Sequence, residues 1–390
     1  MQRNTLLIGL LVLGLFSPVK AAMSAGELPG DISAPADTVS VSYDMAAAGL
    51  RWLELVAEGA TEERVRLFFF DEVAPTAGCQ AIIKHWARFR EWDEAAFFDF
   101  ILKALGRKPT DAPILGKDGH PTAFGHARRL WAAALANRKQ LRADLAALRD
   151  IDLRGTALAE ARRYLPAEAD VSNRFHIVLF GASNAFSVGN DNGFDLLQLK
   201  RTTDGSLDVA AAVALFAHEM HHSGLSSAMD LHMDKVADDP HIVLPGVFVA
   251  EGMATYFITP PGPELDRWRS SSDPLERQLA ADWDRHAEMM PELYVAAAAD
   301  IERGLDGELT TEKLVERWLG GMQGPAYAVG ADMMRLIDRE LGRDTAIGLA
   351  RDSRPLLEVY NRAARSARAR GVEAYLFPDQ LAARLAAFGT

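Results

Sequence analysis

The chain has 390 residues, enough for two domains or for one large domain with a satellite. Hydrophobic residues make up 49% and charged residues 25%, which is ordinary for a globular protein and excludes a disordered or fibrous chain. The formal net charge is −12, which argues against nucleic acid or an anionic membrane as partner.

In chain order, the first element is a processing signal. Arg3 supplies a positive start, Leu6 to Phe16 is an apolar run, and Ser17, Pro18, Ala21, Ala22, Ser24 and Ala25 follow. The run is shorter than the roughly 20 residues that span a bilayer. Residues 1–23 read as a signal peptide cut between about Ala21 and Ala25; the competing reading is an uncleaved anchor. Loss of Arg3 and Lys20 with the signal takes the net charge to −14. No cysteine follows the run, so no lipid anchor is expected. The mature protein is expected to be exported, periplasmic or secreted, with no stable membrane anchor. Residues 24–40 read as a flexible leader.

Residues 41–165 read as a helical N-terminal region. Met45, Gly49, Trp52 and Val56 lie on one helical stripe, and Ile82, Trp86 and Phe89 on another. Cys79, the only cysteine, leaves no internal disulfide and reads as a small buried hydrophobe. Residues 106–121 form a loop of three prolines and three glycines. One long helix is expected over 122–148 and another over 156–164.

Residues 166–262 read as the core that carries the chemistry. The apolar run from Phe175 to Phe180 ends at Gly181. The stretches Ala185–Val188 and Phe194–Leu199, joined by Gly-Asn-Asp-Asn-Gly, read as two strands and a turn. Helices are expected at 208–225, 246–258, 264–303, 310–319, 325–341, 344–351, 355–370 and 378–387. The last of these fall in a helical C-terminal region, 263–390, that completes a cleft. The basic cluster Arg362, Arg365, Arg368 and Arg370 reads as a solvated helix face. The fold class is α+β and predominantly helical, with a small antiparallel sheet before the helix that carries the motif.

That motif is Ala217-His218-Glu219-Met220-His221-His222, an H-E-x-x-H. Two histidines four apart share one helical face and can grip a single metal, while the glutamate between them holds a water. Val209, Val213, Phe216 and Met220 form an apolar stripe, and Ala211, Ala214 and Leu215 make the opposite side apolar too. A helix apolar all round is buried, so its imidazoles and carboxylate need a partner. A metal supplies one; a buried salt-bridge network is the competing reading.

An H-E-x-x-H-x-x-G-x-x-H pattern would need glycine at 225 and histidine at 228, which are Leu225 and Ala228. The third ligand is sought downstream, where Phe248 to Phe257 is nearly all apolar around one acid, Glu251. A lone carboxylate in a buried helix again calls for a cation. Asp230, Asp234 and His241, in a polar stretch between, are rival ligands.

The pieces HEMHH and AEGMATYF resemble those of the gluzincins, the thermolysin-like zinc peptidases with His-His-Glu ligands. They are more similar still to bacterial domain-of-unknown-function families described as zinc-dependent peptidases. The resemblance covers about 172–258, extends towards 342, and is faint in the N-terminal helices, where Thr76 to Gln80 looks familiar. It implies one zinc ion per chain bound by His218, His222 and Glu251, with Glu219 as general base. The group's usual aspartate four residues after the ligand glutamate, which orients a histidine, is Thr255 here.

Zinc chemistry of this kind lowers the pKa of a water and polarises the scissile carbonyl, while Glu219 passes a proton to the leaving amine. The tetrahedral oxyanion needs a further donor. Tyr327, on one helical face with Gly330 and Met334, is the candidate, with a plain core tyrosine as the other reading. His286 and His221 are next in line. Asn184 and Ala185 fall in a segment similar to the edge strand along the gluzincin cleft, which can pair with an extended peptide; an ordinary hairpin strand is the alternative. The aminopeptidase Gly-x-Met-Glu-Asn pattern is missing, so internal peptide segments are favoured. The expected partner is a peptide or protein substrate, and the expected function a zinc-dependent metallopeptidase. Two other functions stay open: an exported helical binding protein with a structural or inactive zinc site, and a zinc hydrolase acting on a non-peptide substrate.

Overall fold

The computed structural model describes residues 37–389 apart from 88–90, 117–121, 183–184, 189–190, 203, 234–238, 272 and 321–322. The expected signal peptide, most of the leader, Asn184 and Asp234 lie outside the described residues. Two compact units interleave along the chain: 38–156 with 173–213, and residue 37 with 157–172 and everything from 214 onward.

The first unit opens with strand β1 (Val39–Ser42), where the leader was expected to give way to helices. The alternation Val39-Ser40-Val41-Ser42 suits a pleated strand. Helices α1 (Asp44–Ala57), α2 (Glu62–Phe68), α3 (Ala77–Ala87), α4 (Glu94–Ala104), α5 (Ala123–Ala136), α6 (Arg138–Arg149) and α7 (Leu153–Arg162) follow, the last shared by the two units. The helix expected over 122–148 is thus two, broken at Asn137, whose φ of −108° and ψ of 29° leave the helical region. Trp52 meets Phe69, Phe98 and Trp131 edge-on at 6.1, 6.4 and 6.3 Å, the geometry that aromatic quadrupoles prefer. Cys79 is wholly buried, and burial pushes its thiol up to about 12.

Strands β2 (Asn173–Val178), β3 (Ala185–Val188) and β4 (Asp191–Asp195) complete a sheet ordered β1-β2-β4-β3. The β3–β4 hairpin is antiparallel, but β1 runs parallel to β2, and β2 parallel to β4. The sheet is therefore mixed, not antiparallel as expected. A tight turn obliges β3 and β4 to be antiparallel, whereas the longer connections from β1 to β2, and from β2 through β3 to β4, leave room for a parallel pairing. β3 is an edge strand, and Ala185 on it pairs with Phe194.

Helix α8 (Val209–Met233) opens within the first unit and continues into the second. The second unit then holds α9 (Val243–Met253), a π-helical turn (Ala254–Ile258), α10 (Gly262–Ser270), α11 (Pro274–Glu288) and α12 (Met290–Leu305). Thereafter come α13 (Thr311–Trp318), α14 (Pro325–Leu341), α15 (Arg343–Gly348), α16 (Leu356–Ala369) and α17 (Asp379–Ala386). The helix expected over 264–303 is three, because Pro274 and Pro291 each sit in the first turn of a new helix. The stretch Pro240–Ile258 is long and apolar enough to cross a membrane, yet 89% of it is buried in the protein. Its apolar surface is spent on neighbouring helices, α14 above all.

Candidate metal centre

Every residue of α9 is buried, and Glu251 is the only charged one among them. Such a helix forms because Val, Leu, Phe and Met can bury all of its faces, which leaves the carboxylate in an apolar surround. Glu251 is 1% exposed, Glu219 1%, and His218 and His222 8% each.

The 218–222 spacing on α8 brings the two imidazoles together, with His222 Nε2 2.9 Å from His218 Nε2. Glu251 reaches the same point from α9: its Oε1 lies 3.4 Å from His222 Nε2 and its Oε2 3.7 Å from His218 Nε2. Ligands about 2.0–2.1 Å from a tetrahedral zinc sit roughly 3.3 Å from one another, close to these separations. The three side chains form the one group of possible metal ligands among the described residues, all ligand atoms lying within 4.8 Å.

The donor chemistry supports a cation there. Both Glu251 oxygens and His222 Nδ1 are buried with no hydrogen-bond partner among the described residues. Burial pushes the Glu251 carboxyl up, but the His222 and His218 imidazoles overcome it and lower the pKa to about 2. With both imidazoles neutral, as metal ligands are, the buried carboxylate would lack a counter-charge, at a cost on the order of several kcal/mol. A divalent cation at the meeting point of the three side chains removes that cost.

The structure brings Glu251 to the histidines and leaves Asp230 and His241, the rivals among the described residues, elsewhere. Asp230 is exposed on α8. His241 is bonded through Nδ1 to Asp239 at 2.6 Å. Thr255 hydrogen-bonds neither histidine. Instead His218 Nδ1 lies 2.8 Å from Thr259 Oγ1, a contact that sequence reading missed, since nothing in the sequence distinguishes this threonine from any other loop threonine.

His221 is fully buried, its Nε2 donating to the Tyr164 carbonyl at 3.2 Å. Burial, then the neighbouring His222, lower its pKa to about 3, so it is a neutral tether between α8 and the segment after α7. The π-helical turn is held on two sides. The Tyr256 hydroxyl donates to Asp338 at 3.0 Å, and Phe257 stacks on Tyr164 at 4.6 Å.

Tyr327 is half-buried on α14, which packs closely against α9. Burial, then the Glu251 and Glu219 carboxylates, raise its pKa well above the ordinary value, so the hydroxyl keeps its proton beside both acids. It makes no side-chain hydrogen bond among the described residues. The close approach depends on two glycines: a Cβ on Gly252 would lie 2.4 Å from the Gly330 backbone. His286, buried on α11, makes no hydrogen bond or ring contact with the three ligand residues.

Residues 99–369 match the model of a family described as "Putative zinc dependent peptidase (DUF5700)". The match takes in more than two thirds of the chain, a longer stretch than the motif-bearing pieces alone suggested, and includes His218, Glu219, His222 and Glu251. No curated protein and no solved structure matches the chain.

Proposed function

The chain belongs to the DUF5700 family, and we propose from that premise that it is an exported zinc metallopeptidase that hydrolyses peptide bonds with Glu219 as general base. The observation that carries this reading is the convergence of His218 Nε2, His222 Nε2 and two Glu251 oxygens that have no hydrogen-bond partner among the described residues. A structural zinc normally takes four protein ligands and has no base beside it, whereas a catalytic zinc takes three and leaves a position open. Three ligands and an adjacent glutamate fit the second description.

When bound, zinc supplies Lewis acidity, which acidifies a water and polarises the substrate carbonyl. Glu219, one residue after the first ligand histidine, accepts the water's proton and returns it to the departing amine nitrogen as the C–N bond breaks. The Tyr327 hydroxyl, still protonated, donates a hydrogen bond to the oxygen that becomes negative as the carbonyl turns tetrahedral. Ala185 on edge strand β3 is the remaining candidate for peptide binding, by backbone pairing. The apolar run Leu6–Phe16 supports action outside the cytoplasm.

The test is metal analysis together with digestion of a peptide library. The purified protein is expected to carry one zinc. His218→Ala, His222→Ala and Glu251→Ala should each lose it, while Glu219→Gln should keep zinc and lose hydrolysis. Zinc-loaded wild type that cleaves no more than Glu219→Gln would reverse the peptidase reading and make this a zinc-holding binding protein. Stoichiometric zinc in Glu251→Ala would remove Glu251 from the ligand set.

A further inference from the structure

We infer that Thr259 is the positioning residue that sets the tautomer and orientation of His218 for metal binding. This inference rests on the zinc reading above. A ligand imidazole binds through one nitrogen, and the hydrogen bond made by the other decides which nitrogen carries the proton. For His218 that partner is Thr259 Oγ1, 2.8 Å from Nδ1.

The hydroxyl's single proton is directed elsewhere. Thr259 Oγ1 donates to the Ala254 carbonyl at 3.3 Å, which leaves its lone pairs to accept from His218 Nδ1–H. His218 Nε2 is then unprotonated, and it is the atom that faces His222 Nε2 and Glu251 Oε2. The proton assignment follows from this network of donors and acceptors. His222 has no such help, since its Nδ1 is buried without a partner among the described residues. Of the two imidazoles, His218 alone has its metal-facing nitrogen set by the protein.

The π-helical turn makes the contact possible. Thr259 lies eight positions after Glu251, and at about 100° per residue an α-helix would leave it roughly 80° around the axis. The turn Ala254–Ile258 takes in one extra residue, closed by Thr259 N–H on the Ala254 carbonyl at 3.0 Å. Removing one residue's rotation brings Thr259 to within about 20° of Glu251. Glu251 and Thr259 therefore reach His218 from the same side, one at each ring nitrogen. A π-turn is an unusual conformation, often found where function requires it, and Tyr256 on Asp338 and Phe257 on Tyr164 hold it.

The experiment measures the zinc dissociation constant of the full chain by competition with a chromogenic chelator, alongside the melting temperature of the zinc-free protein. Thr259→Val keeps the shape and removes the acceptor; zinc binding is expected to weaken by about 10- to 100-fold, with zinc-free melting unchanged. Thr259→Ser restores the hydroxyl and should restore affinity to near wild type. Should the valine variant fail to fold, Thr259→Ala carries the same expectation. Wild-type affinity in Thr259→Val, or a serine variant as weak as the valine one, would overturn the inference while leaving the zinc reading intact. Failure of the wild type to bind zinc would overturn both.

Discussion

Tyr327 shows how far a single side chain can be read. The three-residue step to Gly330 marked it in the sequence, but a core tyrosine makes the same pattern. Burial and the neighbouring Glu251 and Glu219 carboxylates keep the hydroxyl protonated, and one substitution separates the two readings. If the hydroxyl donates to the oxyanion, Tyr327→Phe should lower kcat by roughly 10²-fold on a cleavable peptide. Zinc content and melting temperature should hold, because the hydroxyl satisfies no hydrogen-bond partner among the described residues. Activity unchanged in a zinc-loaded phenylalanine variant would reduce Tyr327 to a packing role. The candidate ligand residues were more legible than Tyr327, for a physical reason. His218, His222 and Glu251 are ionisable groups in the buried, largely apolar stretches of their helices, and a buried charge without a partner is too costly to be incidental. Thr259 has no such mark, because a hydroxyl is at home in any loop.

Between elements, the decisive contact is that of α9 with α14. A Cβ on Gly330 would sit 2.6 Å from the Phe248 carbonyl oxygen and 2.9 Å from Gly252 Cα, and backbone atoms cannot move aside as a flexible side chain can. Gly330→Ala should therefore force the helices apart and destabilise the fold by about 1–3 kcal/mol. It should also weaken zinc binding, since Glu251 directly precedes Gly252. Denaturant unfolding and chelator competition read the two effects. Gly348→Ala is the control: nothing lies within 4 Å of its added Cβ, so stability should hold or rise slightly. A Gly330→Ala protein as stable and as zinc-avid as wild type would mean that the helices do not depend on that approach. The elements themselves were mostly legible, because helical and strand periodicities are local. The breaks were not: Pro274 and Pro291 in the span expected as one helix were strong signals left unused, and Asn137 a weaker one.

Across the second unit, Glu168 ties together parts of the chain far apart in sequence. It accepts hydrogen bonds from Arg351 Nη2 at 3.0 Å and from His232 Nε2 at 2.9 Å. The Arg351 hydrogen bonds, outweighing partial burial and helped by His232, hold its carboxyl down at about 2, against an ordinary 4.5. A carboxyl whose pKa is depressed by folding contributes stability above its unfolded pKa and loses it as the pH falls through the folded one. The window here runs from about 4.5 down to about 2. Glu168→Gln should melt below wild type at pH 7, and the gap should close as the pH falls through that window. Parallel melting curves with a constant gap down to pH 2 would show that the ion pair adds nothing.

The sequence by itself determined the candidate residues for the chemistry and that helices dominate, because burial cost and periodicity are written in neighbours a few positions apart. It placed His218 and His222 on one face through helical spacing alone, with Glu219 between them in sequence. Only the tertiary structure decided that Glu251, not Asp230 or His241, meets the histidines, that the sheet is mixed, and that Thr259 takes the second nitrogen of His218. Those outcomes depend on segments that touch only after folding, such as His218 and Thr259, 41 positions apart. They also depend on one extra residue in a π-turn, held by contacts to Tyr164 and Asp338 that no window of sequence contains.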